Sequence, residues 1–261
     1  MSDIPLHLAR SFDEVADLYD AHRPGYPPAL FADVMAEARV GPDEAILELG
    51  CGTGQATRGL APFGRWVLAI DPGPELVGVA RRRLAAFPHV HFAVTSFEDW
   101  APRLSAYPLI VSAQAFHWID PGVALPKAAA VLAPGGVLAC FAHVPEPPPA
   151  AFLGVFEPIY ARWAPELWVD PPERWYWPDG AFAQGLAASG LFGAAEHRVY
   201  PATRTYTALG FVDYLRTRSD YRALGLECLE ALLAAVSHAV RDGGGVIEME
   251  MPAHLHMARR L

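Results

Sequence analysis

Three glycines, Gly50, Gly52 and Gly54, follow the apolar run Ile46-Leu47-Glu48-Leu49 and precede a helix expected from about Gln55. A strand that ends in glycines and turns into a helix aims backbone N–H groups at a ligand beside the helix N-terminus. The glycines permit the tight turn and a close approach of ligand to backbone. Glu48 stands just before the loop, where its charge repels a pyrophosphate and attracts an ammonium. Asp71 ends the next apolar run, 19 residues after Gly52, where an acid can grip ribose hydroxyls. A dinucleotide fingerprint requires its third glycine at position 55, which is Gln55. The loop therefore suits a ligand with a ribose and an amino-acid head group better than a nicotinamide dinucleotide.

The elements that must position these residues alternate. Residues 11–21 and 27–39 read as helices joined by Arg23-Pro24-Gly25-Tyr26-Pro27-Pro28, a rigid turn. Short apolar strands follow at 46–49, 66–70, 90–94, 109–112 and 137–141, with helices from Gln55 and over 75–87. Such alternation argues for a parallel sheet with helices on both faces. After the proline-rich segment at Pro145, Pro147, Pro148 and Pro149 the chain becomes dense in Trp and Tyr. Helices are expected near 179–189, 208–223 and 226–241. Two apolar runs, Arg198 to Thr207 and Val246 to His256, read as antiparallel edge strands closing the same sheet, with the inserted helices as a cap.

The acid followed by Gly50-Cys51-Gly52-Thr53-Gly54 resembles the first motif of the class I S-adenosylmethionine-dependent methyltransferases, clearly over about residues 11–142 and more weakly beyond. The resemblance implies that Glu48, Gly50, Cys51, Gly52 and Gly54 face the methionine part of S-adenosylmethionine and that Asp71 faces its ribose. It places Ser96, Phe97 and Glu98 at the adenine, with Ser96 where many members carry Asp. Asp71 as a helix cap, and Glu98 with Asp99 as a plain polar turn, are the competing structural readings.

Ligands of a doubly wound sheet sit outside the C-terminal ends of the strands, so the run Ser112 to Asp120 faces the reacting methyl. Its Ala-Gln-Ala-Phe-His-Trp stretch, with Tyr19 and the Arg23 to Pro27 turn, resembles small-molecule enzymes of the trans-aconitate methyltransferase type, as does the run Tyr214 to Ser219. Gln114 then belongs to the cofactor side. Tyr19, Tyr26, Phe116 and Trp118 are aromatic faces for a cationic methyl. Arg23 can clamp a substrate carboxylate or pair with Asp20. His117 is the best-placed base for a hydroxyl acceptor, or else a core histidine. Trp177, in Trp175-Tyr176-Trp177, either roofs the acceptor or anchors the cap. Arg216 and Arg218 cannot share a helical face, so at most one reaches the site.

Composition sets the remaining bounds. With 261 residues, 52% hydrophobic and 19% charged, the chain can bury a large core and is too apolar for disorder. A net charge of −9 and a single lysine, Lys127, disfavour a nucleic-acid partner, and Arg81-Arg82-Arg83 reads as a solvated helix face. No apolar run is long enough to span a membrane, and Met1 to Arg10 lacks a signal-peptide core. Cys51, Cys140 and Cys228 form neither a disulfide framework nor a zinc site, and the pairs His89/His91 and His254/His256 lack a third ligand, so no metal is expected. A cytoplasmic chain follows.

The expected fold is α/β, a Rossmann-like doubly wound and mostly parallel sheet with antiparallel C-terminal edge strands and a helical cap. One methyltransferase domain would span 1–261: N-terminal helices over 1–40, a cofactor core over 41–144, and cap helices with the last two strands over 145–261. Its expected activity is O-methylation of a small carboxylate or hydroxylated metabolite. A protein that binds S-adenosylmethionine without catalysis and a nucleotide-dependent oxidoreductase are the alternatives, with a macromolecular acceptor disfavoured. The oligomeric state is not legible.

Overall fold

The computed structural model describes residues 12–102, 104–169 and 172–261, so the signal-peptide reading of Met1 to Arg10 lies outside the described residues. Helices α1 (Ala16–His22) and α2 (Pro28–Ala38) precede β1 (Ala45–Leu49), α3 (Thr57–Leu60), β2 (Trp66–Asp71), α4 (Pro74–Arg83) and β3 (Val90–Val94). Then come β4 (Tyr107–Ala113), α5 (Pro121–Val131), β5 (Leu132–His143), α6 (Ala150–Trp163), α7 (Pro165–Val169) and α8 (Ala181–Ser189). The chain closes with β6 (Glu196–Tyr200), β7 (Thr203–Thr207), α9 (Ala208–Arg216), α10 (Ser219–Arg222), α11 (Leu226–Asp242), β8 (Val246–Glu250) and β9 (Ala253–Arg259).

Seven strands form one sheet in the order β3-β2-β1-β4-β5-β9-β6, parallel from β3 through β5 and antiparallel at β9 and β6. The order reverses between β1 and β4, which opens a crevice beyond their C-terminal ends. Alternation along each strand divides the core. Ile46, Val67, Leu109 and Phe141 face α2, whereas Leu47, Leu49, Ile110 and Leu138 face α5 and α8. A third cluster, including Phe156, Phe211, Leu232 and Val236, packs α6, α9 and α11 into the cap.

Two expectations need correction. Each apolar C-terminal run is two strands, not one: β6 and β9 join the large sheet, while β7 and β8 pair as a separate two-stranded ribbon. Pro201 and Pro252 interrupt the runs, because proline cannot donate to a ladder. The helix α6 was not foreseen either. It starts directly after Pro149 and contains Pro158, so its proline content masked a buried stripe of Phe152, Phe156 and Tyr160.

The arginine triplet is not simply solvated. Arg83 pairs with Asp20 (2.6 Å), Arg82 with Asp17 (3.7 Å), and Arg81 donates to the Phe92 carbonyl (3.0 Å). Asp20 also meets Arg58 (3.3 Å). Asp13 accepts from the backbone N–H groups of Glu75 and Leu76, capping α4 from another segment. The N-terminal segment is thus bolted across the C-terminal edge of the sheet.

Phe141 is fully buried on β5 and meets Tyr26 and Phe31 edge to face, with centroids 4.7 and 5.8 Å apart. Phe141→Ala should cost about 3–5 kcal/mol in urea unfolding. A loss below about 1 kcal/mol would show that the α2 face of the core repacks freely.

Candidate active site

The glycine loop leaves β1 with two hydrogen bonds, from the Gly50 and Cys51 N–H groups to the Ile70 carbonyl (2.9 and 3.1 Å). Gly50 and Gly52 both hold left-handed backbone, with φ of 68° and 53°. Their surroundings differ. A Cβ on Gly50 would lie 2.2 Å from the Ala115 Cβ, so that glycine serves packing. A Cβ on Gly52 would meet nothing nearer than a Tyr19 ring carbon at 3.9 Å, so Gly52 opens onto space. That space is a recess bounded by Tyr19, Arg23 and Tyr26, by Gly50, Cys51, Gly52 and Gln55, and by Ala113 and Gln114 at the end of β4.

Asp71 is bonded into the loop. Its carboxylate accepts from the Gly52 N–H (2.9 Å) and the Gly73 N–H (2.8 Å), so its inferred capping of a helix is replaced by a tight turn of its own. Burial pushes its pKa up to about 6. Glu48 is fully buried, and neither carboxylate oxygen has a hydrogen-bond partner. Burial, only partly offset by the neighbouring Thr57, pushes Glu48 up to about 8. A buried acceptor pair without a donor, behind a loop that opens onto a recess, fits a ligand that brings an ammonium.

Arg23 does not pair with Asp20, which is taken by Arg58 and Arg83. Its Nε donates to the Thr217 hydroxyl (2.8 Å) and one terminal nitrogen donates to the Thr217 carbonyl (2.7 Å). The guanidinium also lies over the Tyr19 ring, 5.0 Å from its centroid. Among the described residues no carboxylate pairs with it. Arg216 and Arg218 are each held by acids of the cap, Glu230 and Asp220, so neither reaches the recess. The residue between them, Thr217, is the one that connects to the site, and no sequence pattern singled it out.

Gln114 ends β4 with φ at 55°, a conformation a non-glycine residue holds only under constraint, and turns toward the recess. Gln55, used in the sequence only to exclude a dinucleotide, also lines it. Its carbonyl oxygen accepts from the Thr53 hydroxyl (2.9 Å), and its amide nitrogen is buried without a partner.

Of the remaining expected residues, Cys51 lines the recess and the others do not. Cys51 is buried and its thiol is held well above the ordinary range by desolvation. A Cβ on Gly54 would press on Leu84 at 2.8 Å, so this glycine serves contact with α4. Phe116 is core, against Phe182. Trp118 is half-buried and meets Phe12 edge to face. His117 stands beside Trp118, with Nδ1 3.1 Å from the Tyr176 hydroxyl, and burial pushes its pKa down to about 4. Trp177 is 37% exposed under Arg174, while its neighbour Tyr176 is the buried member of that aromatic run. Ser96 and Asp99 hydrogen-bond each other, Glu98 accepts from the Asp120 N–H, and Phe97 is buried beneath Lys127. These partners are those of a polar turn.

Among the described residues no group of three or more His, Cys, Asp or Glu side chains is arranged to hold a metal ion, and no helix is long and apolar enough to cross a membrane. His254 instead hydrogen-bonds to His197 across the sheet (3.2 Å).

Residues 46–136 match the family described as a methyltransferase domain. An uncharacterised methyltransferase of Mycobacterium bovis is 35% identical over 131 residues, covering 50% of this chain and 51% of that protein. A trans-aconitate 2-methyltransferase of Methylobacterium radiotolerans is 33% identical over 112 residues, 41% of each chain. The alignments thus span about half the length of such relatives or less. A putative type II methyltransferase structure from Anaeromyxobacter dehalogenans superposes with a TM-score of 0.61 at 25% identity, covering 91% of this chain and 97% of that one. Residues 46–136 thus carry the sequence signature of a methyltransferase domain on a Rossmann-like fold. S-adenosylmethionine is the cofactor of this domain.

Glu48 gives a test without any ligand. Its carboxyl is held protonated to about pH 8 in the folded state against an ordinary value of 4.5, so the folded state binds the extra proton and stability falls as pH rises through that window. Glu48→Gln removes this share. The variant should outlast the wild type at pH 8 by about 4 °C or more, at roughly 2–4 °C per kcal/mol, with a smaller gap at pH 5. Equal slopes of Tm against pH would show that Glu48 is ionised in the ligand-free protein.

Proposed function

We propose that this chain transfers the methyl group of S-adenosylmethionine to an oxygen of a small metabolite, with a carboxylate as the favoured acceptor and a hydroxyl as the second class. One observation carries the choice: Arg23 borders the recess beside Gly52, and no acid among the described residues neutralises it. An arginine spends charge-assisted hydrogen bonds best on a planar carboxylate. The net charge of −9 and the cap formed by α6, α9 and α11 favour a small acceptor over a polyanion.

When bound, S-adenosylmethionine supplies a methyl group activated by a sulfonium. The chain's part is to hold, orient and exclude water. Glu48 offers its unpartnered oxygens toward the amino-acid end, and Asp71 keeps lone pairs beyond the two that Gly52 and Gly73 occupy, available for ribose hydroxyls. Tyr19 and Tyr26 offer aromatic faces, worth about 0.5–2 kcal/mol each toward a cation. Fixing the reactants in line contributes on the order of 7–11 kcal/mol. A carboxylate acceptor requires no base. The relatives named above are methyltransferases, one acting on trans-aconitate by its name, which supports an acidic substrate class here.

The oxidoreductase alternative fits poorly, since Gln55 stands where a dinucleotide loop needs its third glycine. A cofactor binder without catalysis differs from an enzyme only in product, so an acceptor panel separates them.

Arg23→Ala should raise KM for an acidic acceptor by about 10- to 100-fold, the worth of a charge-assisted hydrogen bond, and leave the Kd for S-adenosylmethionine within about threefold. A loss that falls on cofactor binding instead would assign Arg23 to the cofactor's own carboxylate and contradict this reading. Asp71→Ala should weaken S-adenosylmethionine binding about tenfold or more in calorimetry. Unchanged affinity would remove Asp71 from the ribose.

A further inference from the structure

His117 follows Gln114 by three residues, in the turn Phe116–Trp118 at the C-terminal end of β4, and its Nδ1 lies 3.1 Å from the Tyr176 hydroxyl. Either atom of that pair can be the donor. If Nδ1–H donated, the hydroxyl hydrogen of Tyr176 would need another acceptor. Tyr176 is 2% exposed, and among the described residues His117 is the one acceptor within hydrogen-bond distance of its hydroxyl. A buried donor without a partner is costly, whereas a second lone pair left idle on a phenol oxygen is not. The phenol is held well above its ordinary range by burial, so the hydrogen is present.

We propose that the Tyr176 O–H donates to His117 Nδ1, fixes the imidazole with its hydrogen on Nε2, and so makes His117 a hydrogen-bond donor to an already ionised acceptor oxygen and not a general base. A neutral imidazole carries one hydrogen, and an occupied Nδ1 lone pair leaves it on Nε2. The ring stays neutral because it is wedged against Trp118, Trp175 and Tyr176, at centroid distances of 5.1, 5.7 and 5.8 Å. Nε2 has no partner among the described residues, so its hydrogen is free for a ligand.

Tyr176 is itself held in place. The fully buried His256 on β9 lies with Nε2 2.9 Å from the Tyr176 carbonyl, and donates to it, and the Tyr176 ring packs at 4.9 Å from Trp175. The last strand of the sheet thereby sets the tautomer of a residue at the end of β4. Tyr176 is a positioning residue, acting through His117.

The assignment rests on the proposed methyl transfer and narrows its acceptor to a carboxylate. An N–H donor cannot take a proton from a hydroxyl, but it can steady one oxygen of a carboxylate while the other reacts. One C–O bond forms and one S–C bond breaks, the bonding pair stays with sulfur, and no proton changes hands.

Two measurements on the full chain test this. The first is the ¹⁵N shift pattern of the His117 ring in the ligand-free wild type near pH 7, with Tyr176→Phe as the comparison. The neutral Nε2–H form is expected in the wild type and a mixture of tautomers in the variant, while an Nδ1–H ring in the wild type would overturn the proposal. The second compares His117→Gln, whose amide can donate near the position of Nε2, with His117→Ala on a panel of carboxylic and hydroxylated acceptors. Gln should retain kcat within about tenfold of wild type on a carboxylic acid, with Ala at least tenfold lower again and no rate limb from His117 between pH 5 and 8. Equal losses in both variants, with such a limb in the wild type, would make His117 the base. The ring measurement uses no acceptor, so failure of the carboxylate activity and failure of the tautomer assignment are read separately.

Discussion

Asp71 ties two strand ends into one platform. Its two oxygens receive the N–H groups of Gly52 and Gly73, while the Ile70 carbonyl beside it receives those of Gly50 and Cys51. The glycine loop therefore hangs on the end of β2 as much as on its own strand. Left-handed backbone at Gly50 and Gly52 lets the three N–H groups of the glycine loop turn inward without strain. Everything else in the recess is measured from this fixed edge: Gln55 one step along the loop, Gln114 at the parallel end of β4, and Tyr19 across the gap.

The opposite wall comes from the described N-terminal residues 12–28, which are held at several points. Asp13 caps α4, Asp20 binds Arg58 and Arg83, and Arg23 reaches the cap at Thr217. His143, at the end of β5, adds a fourth hold, contacting the Gly25 carbonyl (3.1 Å) and stacking on Tyr26 with centroids 4.6 Å apart. Core, N-terminal segment and cap thus converge on Arg23 and Tyr26. Surface ion pairs are weak singly, but here each joins a different element, so together they set geometry more than stability.

The parallel core was legible because its strands are short apolar runs bounded by glycine and proline, and buried parallel strands look like that. The cofactor was legible because the loop's spacing and its flanking acids are tied to backbone geometry. The C-terminal half was harder. Prolines at 149 and 158 hid α6, whose identity comes from a buried stripe, and single prolines at 201 and 252 split runs that read as continuous. Thr217 and Tyr176 lie within runs that stand out in the sequence, Tyr214 to Ser219 and Trp175 to Trp177, but no pattern singles out either residue. Each matters through a partner almost 60 residues or more away, His117 for Tyr176 and Arg23 for Thr217, and such pairings appear only once the chain is folded. The aromatic run Trp175-Tyr176-Trp177 is plain in the sequence, but which ring turns inward is set by the turn and by His256.

The central claim is that an acid-flanked glycine loop, built onto Asp71, selects an amino-acid-bearing nucleoside over a dinucleotide. Calorimetric titration of the purified protein, freed of co-purified ligand, with S-adenosylmethionine, S-adenosylhomocysteine and NADH tests it most directly. Micromolar binding of both sulfur nucleosides and no heat from NADH are expected. Binding of NADH with indifference to the sulfur nucleosides would contradict it.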